Sequence, residues 1–129
     1  MCLYYDKGVT QALRARKGAV VGWKILNLNE NELYSITYSG APWKAGVNRS
    51  NRKYRRLSLT EKKAYSPTID AGIHVYLVKP TRGIESRTSR LVPVQCLLRD
   101  LIGVNGPATE AVFMKVILLE ADYRAATQR

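Results

Sequence analysis

The sequence is poor in the residues that most often carry chemistry. It holds one histidine, His74, and two cysteines, Cys2 and Cys96, in 129 residues. No Cys-x-x-Cys spacing is present, and a single imidazole does not complete a zinc set with two distant thiols, so no metal site is expected. Cys96 falls in an apolar run, where a buried reduced thiol is the expectation. Long apolar runs are missing as well. Stretches such as Ala19 to Val21 and Val116 to Leu119 fall far short of the ~20 residues that a membrane-spanning helix needs. No basic segment followed by an apolar stretch stands at the start, so a secretory signal is not expected and the chain is assigned to the cytoplasm. Gly103-Val104-Asn105-Gly106-Pro107 lacks both the Walker Lys-Ser/Thr and the Gly-x-Gly-x-x-Gly spacing, and a plain turn is expected there.

Negative charge is the other scarcity. Ten Asp and Glu stand against 21 Lys and Arg, a net charge of +11 with the histidine neutral. Such an excess bears on partners before it bears on fold: nucleic acid, nucleotides, an acidic protein face or an anionic surface. A hydrophobic content of 46% places the chain among globular proteins. Its length fits one domain over residues 1–129.

What is present reads as short elements joined by turns. Thr10 is placed to cap a helix over residues 11–16, with Gly18 as its stop. Residues 19–26 are β-branched and aromatic enough for a strand, in which Trp23 is expected to be core. Asn27 to Glu32 is turn-like, and Leu33 to Tyr38 resumes in extended form, so the two runs predict a hairpin. Ile73 to Val78, Leu91 to Leu97 and Ala111 to Leu118 are further strands. Pro93 cannot donate to a ladder, which predicts an edge or bulged strand at 91–97, and a second copy of the chain covering that edge is the expected route to a homodimer. Residues 120–127 are good helix formers. The expected architecture is therefore α+β, a twisted, mainly antiparallel sheet of about five strands with two short helices.

The charge is concentrated in residues 44–63. Eight basic residues, among them Lys44, Arg49, Arg52, Lys53, Arg55 and Arg56, meet only Glu61, a local balance of +7. Like charge at this density is costly unless it is solvated, screened or matched by an anion. Arginine forks suit bidentate phosphate contact, and Trp43 and Tyr54 add flat faces for a base. A solvated loop whose arginines cover neighbouring apolar surface is the alternative. Ser58 and Glu61 have capping-box spacing for one helical turn inside this segment. The candidate phosphate-binding residues are thus Trp43, Lys44, Arg49, Arg52, Lys53, Tyr54, Arg55 and Arg56. His74 is the weak candidate for acid or base chemistry, since Asp70 is its only evident neighbour and no nucleophile can be placed beside it.

Three segments carry a resemblance: Trp23-Lys24; Trp43 to Arg52; and Gly72-Ile73-His74-Val75-Tyr76-Leu77 followed by Glu110 to Val116. In this order they are similar to small accessory proteins of bacteriophages and prophages, over about residues 20 to 120. That resemblance carries no established activity. It implies a protein of the bacterial host's cytoplasm that acts against the host, by blocking a nuclease complex or by sequestering a nucleotide signal. The Gly-Ile-His strand also resembles those of ADP-ribosyltransferase-type folds, which would imply a small His74-dependent enzyme, but no tyrosine and glutamate on separate strands can be assigned to complete that site. Residues and resemblance together predict a non-enzymatic binding protein with no cofactor. Its basic face would meet nucleic acid or a nucleotide, or else an acidic surface of a host protein complex.

Overall fold

A computed structural model describes residues 3–35, 41–50, 68–69, 72–84 and 86–128. A short N-terminal strand, β1 (Leu3–Tyr4), leads into helix α1 (Lys7–Ala15). The cap of α1 is Asp6, whose carboxylate accepts from the Val9 amide at 2.9 Å. Thr10, expected in that role, lies one turn inside the helix and is buried. Its hydroxyl accepts from the Val104 amide at 3.0 Å, so it ties the helix to the sheet. The chain leaves α1 through Lys17 and Gly18, both at positive φ.

The long strand β2 (Ala19–Asn29) and β3 (Glu32–Ser35) form the expected hairpin. Its turn is only Glu30-Asn31, both at positive φ, the two-residue geometry that matches the twist of the flanking strands. Then follow β4 (Gly46–Arg49), β5 (Thr68–Ile69), β6 (Ile73–Tyr76), β7 (Ser89–Leu97), a 3-10 turn (Leu98–Asp100), β8 (Leu101–Val104), β9 (Glu110–Phe113), β10 (Lys115–Leu118) and helix α2 (Glu120–Thr127). Residues 103–107 contain the expected turn, held by Asn105, whose side-chain oxygen accepts from the amides of Thr109 and Glu110.

Among the described residues the fold is α+β with two helices, and the sheet is antiparallel, but it is larger than about five strands. Seven strands run in the order β4-β10-β7-β2-β6-β9-β8, and β3 pairs with β2 beside them. The run 111–118, expected as one strand, breaks at Met114. Its two halves lie far apart in that order, β9 between β6 and β8, β10 between β4 and β7. One residue cannot bridge three intervening strands of a flat sheet at ~4.8 Å each, so the sheet curls until its flanks meet at Met114. The Met114 amide donates to the Asp100 carbonyl and its carbonyl accepts from the Ser50 amide, which closes the seam.

Strand β7 is interior, paired along its length with β2 and at Gln95 with β10. The edge expected at Pro93 is therefore absent, and with it the ground for a dimer through that edge. Pro93 is tolerated because it lies beyond the single β10 pair and faces Trp23 of β2.

The inside of the curl is the core. Leu26, Val92, Phe113, Val116 and Leu118 are almost wholly inaccessible there. Gly22 permits the tight curvature: a Cβ at that position would stand 2.9 Å from both Cys96 Sγ and Val75 Cγ2. A second, smaller cluster of Leu3, Tyr5, Ile102 and Val112 covers the outside of β8 and β9. Both faces of that flank are thus occupied, whereas among the described residues no second cluster covers the outside of β4, β10, β7 and β2.

Candidate anion-binding face

The face is built by alternation. In β4, Asn48 is buried and its neighbours Val47 and Arg49 are exposed. The inward Asn48 side chain donates to the carbonyls of Lys44 and Gly46 and accepts from the Lys44 amide, locking the turn into the strand. In β10, Val116 and Leu118 are buried, which turns Lys115 and Ile117 outward. The register sets Val47 opposite Ile117 and Arg49 opposite Lys115.

Gln95 of β7 and Val21 of β2 continue the Ile117 row. The next row in β2 and β7 is Trp23 opposite Pro93, and on the other side of β2 Trp23 pairs with Tyr76 of β6. Directly paired residues of an antiparallel ladder share a face, so Tyr76, Trp23 and Pro93 form one strip. Exposed Lys79 places its Nζ 5.0 Å from the centre of the Trp23 ring.

The charges gather at one end. Arg49 and Lys115 face each other there, an arrangement that destabilises a ladder. Neither has a carboxylate within ion-pair distance among the described residues; the one such pair in those residues joins Glu120 and Arg124. Arg16 and Lys17 are exposed immediately before the start of β2, and Arg99 is exposed just after β7, at the end where Ala19 pairs with Leu97.

Of the residues expected to bind phosphate, Lys44 and Arg49 are exposed and stand at either side of β4. Arg52, Lys53, Tyr54, Arg55 and Arg56 lie outside the described residues, as does the Ser58 to Glu61 capping box. Trp43 is corrected: it is 7% exposed, its indole Nε1 donates to Ser35 Oγ at 2.9 Å and its amide donates to the Leu33 carbonyl. A ring so enclosed is a core anchor and offers no free face for a base. Trp23, expected to be core, is the half-exposed tryptophan. Period-two alternation allows either face of β2 to be buried, and the structure buries Gly22, Leu26 and Leu28 instead. Lys115 and the Trp23–Tyr76 pair were invisible in sequence because the rows join strands distant along the chain.

His74 sits in β6 opposite Val112, and its backbone carbonyl accepts from Lys24 Nζ at 2.8 Å. Lys24 itself points to the inside of the curl, and burial lowers its pKa from 10.5 to about 8. Burial raises the Cys96 thiol to about 12, so Cys96 does not supply a thiolate near neutral pH. Among the described residues no group of three metal-ligating side chains occurs. No helix of the described residues is long and apolar enough to cross a membrane. No family model, curated protein or solved structure matches this chain.

Proposed function

We infer that the chain is a binding protein without catalytic activity whose basic face engages the phosphates of a nucleic acid or nucleotide, in the manner of a phage accessory protein acting in the host cytoplasm. The observation that carries this is Arg49 set directly opposite Lys115 on the outer face of the sheet. Two cations held side by side raise the free energy of the unbound protein and become favourable once an anion bridges them. In sequence, the dense positive run follows directly on Arg49. An acidic protein surface would satisfy the same cations, but the aromatic row on the same face, beyond the Val47–Ile117–Gln95–Val21 row, favours a ligand with bases.

The test is binding as a function of salt. The protein is purified at moderate ionic strength, the 260 to 280 nm absorbance ratio is taken for co-purifying nucleotide, and affinity for a labelled duplex is measured by anisotropy from low to high salt. A ligand touching Z phosphates of a duplex gives a log–log slope of about −0.9Z. The Arg49→Glu, Lys115→Glu double variant is expected to make that slope shallower by about 2. A flat salt response in the unaltered protein overturns the inference.

A further inference from the structure

The geometry points to a single-stranded nucleic acid as the ligand, lying across the outer face of β4, β10, β7 and β2 with a base stacked on Trp23; this rests on the anion-binding reading above. Trp23 is half-exposed between Tyr76 and Pro93 on neighbouring strands, so three flat or rigid side chains stand in one row. The adjoining row offers Val21, 56% exposed, and Val47, 40% exposed, at its two ends. That row carries Val47, Ile117 and Val21 with exposed Gln95 among them, the face is cationic at one end, where Arg49 and Lys115 lie, and Lys79 brings a further cation over the indole. Glu110, paired with Tyr76 on β9, bounds it on the other side.

Each candidate occupant uses these features differently. A second copy of the chain packed face to face would have to bury the adjacent Arg49 and Lys115 of both copies, and burying charges without matched partners is costly. A duplex presents phosphates but keeps its bases stacked inside, so it would meet the cations and leave the aromatic row unused. A single strand presents both: phosphates for the cationic end and unstacked bases for the aromatic row, the combination found where proteins bind single strands without reading sequence. Lys79 does not block this, because base stacking on an indole is stronger than an exposed cation–π contact, and the displaced ammonium is then beside the backbone of the stacked nucleotide.

The experiment compares labelled single-stranded oligonucleotides of about 12 nucleotides, a length within the usual site range for such surfaces, with a duplex of the same length. The proteins are the unaltered chain, Trp23→Leu, Trp23→Phe and the Arg49→Glu, Lys115→Glu double variant. The proposal expects the single strand to bind about tenfold or more tightly than the duplex. Trp23→Leu should weaken single-strand binding about tenfold with the salt slope unchanged, and Trp23→Phe should recover most of the loss. Trp23 fluorescence should also be quenched on binding. Because Leu at this position could disturb the sheet, circular dichroism and the emission of buried Trp43 report whether that variant is folded, and the Phe variant with the quenching keeps the test intact. Equal binding of duplex and single strand, with Trp23→Leu within twofold of the unaltered protein, overturns the single-strand proposal and leaves anion binding standing. Displacement of the oligonucleotide by oligoglutamate of equal charge, with the same indifference to Trp23→Leu, also overturns it, in favour of an acidic protein partner. Salt-independent or absent binding to every oligonucleotide overturns both.

Discussion

Lys24 donates from Nζ to the backbone carbonyl of His74 across a gap where β2 and β6 have only one registered pair, Trp23 with Tyr76. The ammonium supplies the donor that a ladder amide would otherwise provide, and it stands on the buried side of the sheet. Its pKa falls to about 8 because burial penalises the charged form.

Stability should therefore rise with pH through this group. Between pH 8 and 10.5 the unfolded chain holds the Lys24 proton and the folded chain releases it, so the unfolded state binds more protons. The penalty for the buried charge is fully present below about pH 8 and is relieved as pH climbs toward the unfolded value. In urea unfolding at pH 7.5 and pH 10, the unaltered protein should gain about 1–3 kcal/mol relative to Lys24→Met. An identical pH response of the two proteins would contradict this account of Lys24.

Gly72 and Gly18 both occupy positive φ, at 116° and 87°, yet only Gly72 is crowded. A Cβ on Gly72 would collide with Val112 Cγ1 and come within 2.9 Å of Ile102 Cδ1, whereas nothing lies within 4 Å of the corresponding point at Gly18. Gly18→Ala should cost about 1–2 kcal/mol of backbone strain. Gly72→Ala should cost at least about 2 kcal/mol more, through overpacking against β8 and β9. Denaturant midpoints of the two variants give the comparison directly.

The two tryptophans should separate in both stability and spectroscopy. Trp43→Ala removes a buried ring and a hydrogen bond to Ser35 and should cost about 3–5 kcal/mol. Trp23→Ala should cost under about 2 kcal/mol, since that ring already meets solvent. With Trp23 replaced by Phe, the remaining emission should be blue-shifted and resist acrylamide; with Trp43 replaced, it should be red-shifted and readily quenched.

Lys115→Glu should stabilise the free protein by about 0.5 kcal/mol, because it turns a repulsive cross-strand pair with Arg49 into an attractive one. The same variant should bind nucleic acid more weakly. A gain in urea midpoint together with a loss in affinity is the signature of cations held together for a ligand and not for the fold.

Much of the fold is legible along the chain. The β2–β3 hairpin, the strand at Ile73–Tyr76, the turn after β8 and helix α2 all lie where β-branched runs, turn residues and helix formers place them. The errors share one cause. Thr10 could cap a helix by its type, but Asp6 stands where the helix begins, and the Thr10 hydroxyl is needed by Val104. Residues 111–118 are continuously apolar, which does not reveal that Met114 is a corner between two flanks of one sheet. Pro93 makes β7 look like an edge strand until the order of strands puts β10 beside it, paired at Gln95 and not at Pro93.

The candidate site was half legible. Composition alone marks the basic segment, and of its candidate residues Lys44 and Arg49 are exposed. It offers no means to find Lys115 as the partner of Arg49, or Trp23 as the half-buried ring on the outer face in place of Trp43.

The sequence by itself determined the charge, its concentration in residues 44–63, the β2–β3 hairpin and the mixture of short strands with two helices, because these follow from residue type and near-neighbour spacing. Only the tertiary structure decided which side of β2 faces inward. A period-two pattern is symmetric between its two faces, and that symmetry is broken by long-range packing. Gly22 lies where Cys96 and Val75 must close in, so the curl takes the glycine side and turns Trp23 out beside Tyr76 and Pro93.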